Sequence, residues 1–169
     1  TILTFVLFVN IHSQTPQTLP FSQDWSDTSL INLPDDWSGV SGIVGFRGDN
    51  LTGATGTDPQ TIFNGDTVGV VDVNANQTNP NTSTSGGVTE FHITDPVVAL
   101  QGSGTADAPY LLISIITTNK ENINISYNVR DVDGSVDDAI QQVALQYRIG
   151  NIGDFTNVPA AYIADATEA

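Results

Sequence analysis

The sequence predicts an all-β fold in which antiparallel sheets pack face to face. Asp outnumbers Glu by sixteen to three, and Gly, Asn, Thr and Ser are abundant, a composition that disfavours helices and favours turns and strands. Residues 121–149 also contain two runs in which apolar and polar side chains alternate, as they do in a half-buried strand. Both observations favour β structure over any helical class.

The two alternating runs are predicted to form a hairpin whose turn is an acidic loop. The apolar positions of both runs carry odd numbers: Ile123, Ile125, Tyr127, Val129, Val143, Leu145, Tyr147 and Ile149. Residues of the same parity pair across an antiparallel hairpin, so this register sets apolar residues opposite apolar ones. We expect an opposing sheet to bury that face, and a turn with a short edge strand to follow Gly150.

Other strands are expected at residues 38–48, 61–73, 88–93, 96–100 and 110–116. The second of these is predicted to be a hairpin around Asn64-Gly65, since Asn-Gly suits a tight primed turn. The last is nearly all apolar, which is typical of a strand covered on both faces. Residues 74–87 contain no large apolar residue and are predicted to form a long exposed loop. Trp25 and Trp37 are expected in the core.

The N-terminal residues 1–14 are interpreted as the remnant of a secretory signal peptide. Residues 2–11 are apolar, too short to span a bilayer, and followed by polar residues. The alternative is an apolar first strand of the fold. Residues 15–19 are then a linker, residues 20–169 one β-sandwich module, and the expected location is extracellular. The absence of cysteine excludes disulfides, thiolate metal sites and a cysteine nucleophile.

The formal net charge of −15 bears on the choice of partners. Long-range repulsion disfavours direct binding to nucleic acid and to anionic membrane surfaces. Cations, neutral sugars and basic proteins remain as partner classes.

Two stretches resemble a known kind of module. Pro20-Phe21 and Asp24-Trp25 precede a Leu-Pro-x-x-Trp turn at residues 33–37, and residues 145–150 read Leu-Gln-Tyr-Arg-Ile-Gly. This pattern resembles the secreted bacterial jelly-roll modules of the cleaved-adhesin and choice-of-anchor type, although Asp36 stands where those modules usually have Gly. The resemblance implies a two-sheet jelly-roll sandwich at the front of a large extracellular protein. Such modules continue with further strands, so residues 20–169 are predicted to lack the C-terminal ones.

A candidate metal site is the loop that joins the predicted hairpin. Its four carboxylates belong to Asp131, Asp133, Asp137 and Asp138, and Gly134 allows the loop to bend. Ca²⁺ takes six to eight oxygen ligands, so the loop is a candidate for structural Ca²⁺. It does not match an EF-hand, because the Gly is at the fourth place and position twelve is Gln142. The favoured alternative is a solvated, charge-rich turn.

A candidate ligand-binding face is the polar side of the same hairpin. It carries amide and guanidinium groups, from Asn124, Asn128, Arg130, Gln142, Gln146 and Arg148. Such groups on a rigid sheet suit hydrogen bonding to sugar hydroxyls. The alternative is an ordinary solvated sheet face, and it is favoured because no aromatic residue shares that side of the hairpin.

Catalytic signals are weak. Outside the predicted signal peptide His92 is the only histidine, it has no nucleophile context, and Glu90 has many chance Asp partners. The segment is therefore expected to be a non-catalytic accessory module for carbohydrate binding or surface adhesion in a larger secreted protein. One alternative is the N-terminal module of a secreted hydrolase, such as an extracellular nuclease with its catalytic domain downstream. The other is a structural spacer.

Overall fold

The computed structural model describes residues 14–53, 56–65, 70–134 and 139–167, and in these ranges the chain is built of short strands. The strands are β1 (Gln17–Thr18), β2 (Ile43–Phe46), β3 (Asn74–Gln77), β4 (Gly87–Phe91), β5 (Val97–Gln101), β6 (Tyr110–Ile113), β7 (Ile115–Ile116), β8 (Gln146–Tyr147) and β9 (Thr156–Asn157). The helical residues form single 3₁₀ turns at Pro59–Thr61, Pro80–Thr82 and Pro159–Ala161. The all-β prediction is confirmed. No helix in the described ranges is long and apolar enough to cross a membrane.

Four small sheets organise these strands. In the largest, β4 lies between β3, which is parallel to it, and β5, which pairs antiparallel from Gly87↔Gln101 to Phe91↔Val97. A second sheet pairs β2 and β6 antiparallel, β1 runs parallel to β7, and β8 pairs antiparallel with β9. The expected strands at 38–48, 88–93, 96–100 and 110–116 are thus present, as is the edge strand after Gly150. The jelly-roll strand order stays a prediction.

The core is centred on Trp37, which has no exposed surface. Its buried neighbours are aliphatic: Ile31, Val40, Ile43, Val44, Val73, Ala75 and Val88. Trp25 is half-buried and meets Trp37 edge-on, with the ring centroids 6.3 Å apart. The expectation of a core position is confirmed for Trp37, whereas Trp25 packs against the core from its edge. Aromatic pairs in this geometry add to the stabilisation from buried area.

The predicted hairpin at residues 121–149 is not formed. Residues 121–134 contain no strand, and in residues 139–149 only β8 and a bridge between Val143 and Ile163 are β structure. The face expected to be buried is exposed, Ile125 by 56% and Tyr127 by 42%. The physical reason is that residues 121–129 meet no second strand and no opposing sheet in the described ranges. Their alternating apolar side chains therefore have no surface to pack against, and a strand is not stable without one.

Four smaller expectations also need correction. Residues 74–77 belong to β3 rather than to an exposed loop, because their backbone pairs with β4 and Ala75 is buried. Residues 62–65 form no strand, and residues 66–69 of the hairpin predicted there lie outside the described ranges. The run at 110–116 is only partly covered, since Ile113 and Ile116 are exposed. Part of the predicted linker, residues 17–18, forms β1.

Candidate functional site

An open groove of about 410 Å³ lies between two segments that are far apart in the sequence. It is lined on one side by residues 19–21 and on the other by residues 120–124, and its residues are Leu19, Pro20, Phe21, Lys120, Glu121, Asn122, Ile123 and Asn124. Small-molecule sites in proteins typically have volumes of roughly 300–1,000 Å³. The groove is therefore large enough for a ligand of one or two sugar rings.

The parallel pairing of β1 with β7 brings the two sides of the groove together. Gln17 pairs with Ile115 and Thr18 with Ile116, and the Gln17 N–H donates to the carbonyl of Ser114 at 2.8 Å. Parallel strands leave a sheet at the same end. The residues that follow β1 and those that follow β7 consequently emerge side by side, and these are the groove-lining segments.

A tight turn after β7 leads into the second segment that lines the groove, residues 120–124. The N–H of Lys120 donates to the carbonyl of Thr117 at 3.0 Å, and Asn119 and Asn122 have φ angles of 59° and 54°. Asn is among the residues that adopt this left-handed conformation most readily, because its short polar side chain bonds locally. The two Asn residues therefore bend the chain twice within four positions.

The groove combines an aromatic ring with polar side chains. Phe21 is half-buried and packs against the core cluster, so its position is fixed by the fold. Residues 120–124 are exposed, and the Asn124 amide nitrogen donates to the Asn122 carbonyl at 3.1 Å. That bond orients the Asn124 amide and leaves its oxygen as an acceptor. Lys120 and Glu121 make no ion pair in the part of the chain that the structure describes.

Of the six predicted ligand residues, only Asn124 lines this groove. Asn128 is exposed, and Arg130 pairs with Asp95, its Nη2 donating to the Asp95 carbonyl at 2.6 Å and its Nη1 lying 3.2 Å from the carboxylate. Gln142 accepts a bond of 3.0 Å from the Tyr162 hydroxyl. Because the hairpin is not formed, these side chains do not share a single sheet face.

Gln146 and Arg148 are engaged within the fold. The Gln146 amide nitrogen donates to the carbonyls of Pro59 and Ile62 and to the Asn157 side chain, at 3.3, 2.9 and 2.8 Å. Arg148 donates to the Gly153 carbonyl at 3.2 Å, and its guanidinium lies 4.4 Å from the centroid of the Phe155 ring. The Gln146 bonds fasten β8 to β9 and to the 3₁₀ turn at Pro59–Thr61, and the Arg148 contacts join the end of β8 to residues 153–155.

The predicted Ca²⁺ loop is described in part. Asp131 and Asp133 are exposed, and Asp131 Oδ1 accepts a bond of 3.2 Å from the Asp133 N–H, whereas Asp137 and Asp138 lie outside the described residues. Gly134 is held by the Asn81 side chain, which accepts its N–H at 2.8 Å. Among the described residues no group of three or more His, Asp or Glu side chains is placed to hold a metal ion.

His92 and Glu90 form a contact away from the groove. Glu90 is only 5% exposed, its Oε2 accepts the Asn76 N–H at 3.0 Å, and the same oxygen lies 3.0 Å from His92 Nε2. The contact has ion-pair distance without hydrogen-bond alignment. The bond from Asn76 to Glu90 joins β3 to β4, and His92 packs its ring nitrogen against the same carboxylate. A structural role accounts for both contacts.

Asp72 is the half-buried carboxylate with a perturbed pKa. Burial raises the pKa of Asp72 above its ordinary value, and the Val88 N–H, which donates to Oδ2 at 2.7 Å, opposes that rise. The neighbouring Asp35 carboxylate adds to the rise, and Arg47 opposes it. The backbone carbonyl of Asp72 accepts a hydrogen bond from the core residue Trp37, and Asp72 does not line the groove.

Comparison with known proteins gives no relative for this chain. No protein-family model matches the sequence, and neither a curated protein nor a solved structure matches it. The resemblance to cleaved-adhesin and choice-of-anchor modules therefore stays a prediction from the quoted residues.

Proposed function

We propose that this chain is a non-catalytic carbohydrate-binding module of a larger secreted protein, and that the groove between residues 19–21 and 120–124 is its ligand site. The observation that carries the proposal is the presence of Phe21 and Asn124 in the same groove. Sugars present apolar C–H faces and a rim of hydroxyls. An aromatic ring beside amide groups is complementary to both features.

The charge of the groove supports a neutral glycan. Lys120 and Glu121 contribute one charge of each sign, while the whole chain carries a formal net charge of −15. An acidic polysaccharide would be repelled at long range, and a neutral sugar is indifferent to that field. Hydroxyls can donate to Glu121 and accept from Lys120, so the two charged groups extend the hydrogen-bonding rim formed by Asn122 and Asn124.

The framework of the groove favours binding without rearrangement. β1 and β7 fix its two sides relative to each other, and the contact of Phe21 with the core fixes the ring. A site that is ordered before binding loses less conformational freedom when the ligand arrives. Affinity from a few shallow contacts is consequently possible for a small glycan.

The test is a glycan array probed with the full chain, followed by calorimetric titration of the best neutral oligosaccharide. We expect Asn124→Ala to weaken binding about two- to tenfold, the equivalent of one lost hydrogen bond to a neutral group. Phe21→Leu keeps the apolar contact with the core but removes the ring, and it is expected to weaken binding at least as much. The matched control is Asn128→Ala, which removes an exposed amide outside the groove.

Two results would contradict the proposal. Equal losses in Asn124→Ala and Asn128→Ala would move the site away from the groove. A folded chain that binds no glycan on the array would leave a structural spacer as the better assignment.

A further inference from the structure

We propose that Asn64 is a site of spontaneous deamidation, and that its conversion to isoaspartate loosens the attachment of β8 and β9. Asn64-Gly65 is the only Asn-Gly step in the sequence. This modification needs no enzyme, and the other reactant is water. It is independent of carbohydrate binding, because neither residue lines the groove.

The local structure leaves the reacting groups accessible. Asn64 is exposed, neither it nor Gly65 belongs to a strand or helix, and neither makes a hydrogen bond in the described part of the chain. The Gly65 nitrogen is therefore not held in a backbone bond that would keep it from the Asn64 side chain. Glycine also has no side chain to obstruct the attack and is conformationally permissive.

The reaction has two balanced steps. Solvent base takes the proton of the Gly65 amide, the nitrogen attacks Cγ of Asn64, and the Cγ–NH₂ bond breaks to release ammonia and leave a cyclic succinimide. Water then adds to one of the two ring carbonyls. Cleavage at Cγ gives an ordinary aspartate at this position, and cleavage at the main-chain carbonyl gives isoaspartate, in which the former side chain carries the backbone. The net change is amide plus water to carboxylate plus ammonium.

The position of the site gives the modification a structural effect. The carbonyl of Phe63, the residue before Asn64, accepts the N–H of Phe155 at 2.9 Å. On the other side, a Cβ at Gly65 would lie 3.0 Å from the Tyr110 hydroxyl and 3.4 Å from the Phe155 ring. Isoaspartate lengthens the backbone by one methylene between these two fixed contacts. Gly65 has little room on the side of Tyr110 and Phe155, so we expect the added length to shift the contact of Phe155 with this segment.

The shift is transmitted to the β8–β9 pair because the same short segment holds both strands. Gln146 in β8 donates to the Ile62 carbonyl at 2.9 Å, and Asn157 in β9 donates to the Gln60 carbonyl at 2.6 Å. Arg148 lies over Phe155, directly after β8. A displaced Phe155 therefore weakens the packing of Arg148, and the chain around Arg148 opens more readily into the extended form that a protease cuts.

The first experiment measures amide loss at each asparagine. The full chain is incubated in mildly alkaline buffer made with ¹⁸O water, and peptides are mapped by mass spectrometry. We expect Asn64 to take up ¹⁸O and to form isoaspartate many-fold faster than Asn128, which is also exposed but is followed by β-branched Val129. A free peptide of residues 60–69 is the reference. Deamidation of the folded chain within about tenfold of the peptide rate, about 1.4 kcal/mol of opening free energy, supports the accessible geometry.

The second experiment measures the effect on β8 and β9. Trypsin can cut at only four basic residues, and cleavage after Arg148 is compared with cleavage after Arg130 in fresh and aged chains. Aged wild type should be cut faster at Arg148, and Asn64→Gln should show no change with age because a longer side chain closes the ring slowly. Freshly prepared Asn64→Asp adds the charge without lengthening the backbone, and we expect its cleavage to match that of fresh wild type.

Either of two results would overturn the inference. Amide loss at Asn64 no faster than at Asn128 would exclude the site. Conversion of Asn64 with an unchanged ratio of cleavage at Arg148 would exclude the effect on β8 and β9.

Discussion

The indole nitrogen of Trp37 donates a hydrogen bond of 3.1 Å to the backbone carbonyl of Asp72, across 35 positions of sequence. Two further bonds join the same segments, from the Asp35 N–H to the Val73 carbonyl at 3.0 Å and from the Val73 N–H to the Asp35 carboxylate at 3.1 Å. Asp35 reaches this position with a φ of 59°, which Asp tolerates. The turn at residues 33–37 thus fastens the core tryptophan to the strand region beside it.

Replacing Trp37 with Phe should destabilise the chain by about 2–3 kcal/mol, because the change leaves a cavity and an unpaired Asp72 carbonyl. Urea unfolding measured by fluorescence gives the free energy. Trp25→Phe is the matched control, since Trp25 is only half-buried, and it should cost about 1 kcal/mol or less. Similar losses in the two variants would contradict the central place of Trp37.

A methyl group added at Gly45 should also disrupt this core. A Cβ there would lie 2.4 Å from Trp37 Cζ2 and 2.9 Å from the Asp72 carbonyl oxygen, and neither can move without breaking the bond between them. We expect Gly45→Ala to cost about 1–3 kcal/mol or more, as overpacked cores do. At Gly53 a Cβ meets nothing within 4 Å, so Gly53→Ala should stay within about 0.5 kcal/mol of wild type in the same urea unfolding measurement.

Local patterns predicted the strands that lie side by side in sequence. β4 and β5 were predicted as two strands from their apolar residues, and the structure shows that they pair with each other across the short Thr-Asp-Pro corner. β3 was missed because Asn74–Gln77 has one small apolar residue and is held by backbone pairing that no side-chain pattern reports. Residues 121–129 show the opposite error: their clear alternation predicts a strand, but they form none because no partner strand lies beside them in the described ranges.

The candidate groove was beyond sequence reasoning for a topological reason. The chemistry of Asn124 predicts a ligand residue, but the predicted hairpin has no aromatic residue on the same side as Asn124. Phe21 approaches instead through the parallel pairing of β1 with β7, two strands of two residues each. Such short strands have no detectable period. Likewise, two of the three partners of the Gln146 amide lie more than eighty positions away, and no local signal distinguishes that half-buried amide from an exposed one.

The raised pKa of Asp72 predicts how stability depends on pH. Burial raises the folded-state pKa of Asp72 above the ordinary value of 3.8, so the folded state binds this proton more tightly than the unfolded state does. The contribution of Asp72 to stability is therefore greatest below pH 3.8 and is lost as pH rises through the raised pKa. Asp72→Asn keeps an oxygen for the Val88 N–H and removes the charge.

We expect Asp72→Asn to remove that loss and to stabilise the chain near neutral pH by about 1 kcal/mol or less, because solvent screens a half-buried group. Urea unfolding from pH about 3 to 7 tests this.

The carboxylates of Asp24, Asp27 and Asp165 act in the opposite direction, since side-chain and backbone hydrogen bonds from Ser26, Ser29 and Thr167 lower the pKa of each. Their contribution is lost only as pH falls below 3.8. The control is Asp154→Asn, an exposed change in the β8–β9 turn. Its free energy of unfolding should equal that of wild type at each pH.

A melt with and without Ca²⁺ distinguishes the two interpretations of the acidic loop, a structural Ca²⁺ site and a solvated turn. A ligand that binds only the folded state stabilises it in proportion to the logarithm of its concentration over Kd, about 2.7 kcal/mol at a hundredfold excess. If the loop is a metal site, millimolar Ca²⁺ should raise the melting temperature of the full chain by several degrees and a chelator should reverse the rise; if it is the favoured solvated turn, Ca²⁺ should leave the melting temperature unchanged. Asp133→Ala should abolish the rise because it removes one of the candidate oxygen ligands. Asp154→Ala removes a carboxylate elsewhere and should retain it. A cooperative melt with the same melting temperature with and without Ca²⁺ in all three chains would make the loop a solvated turn.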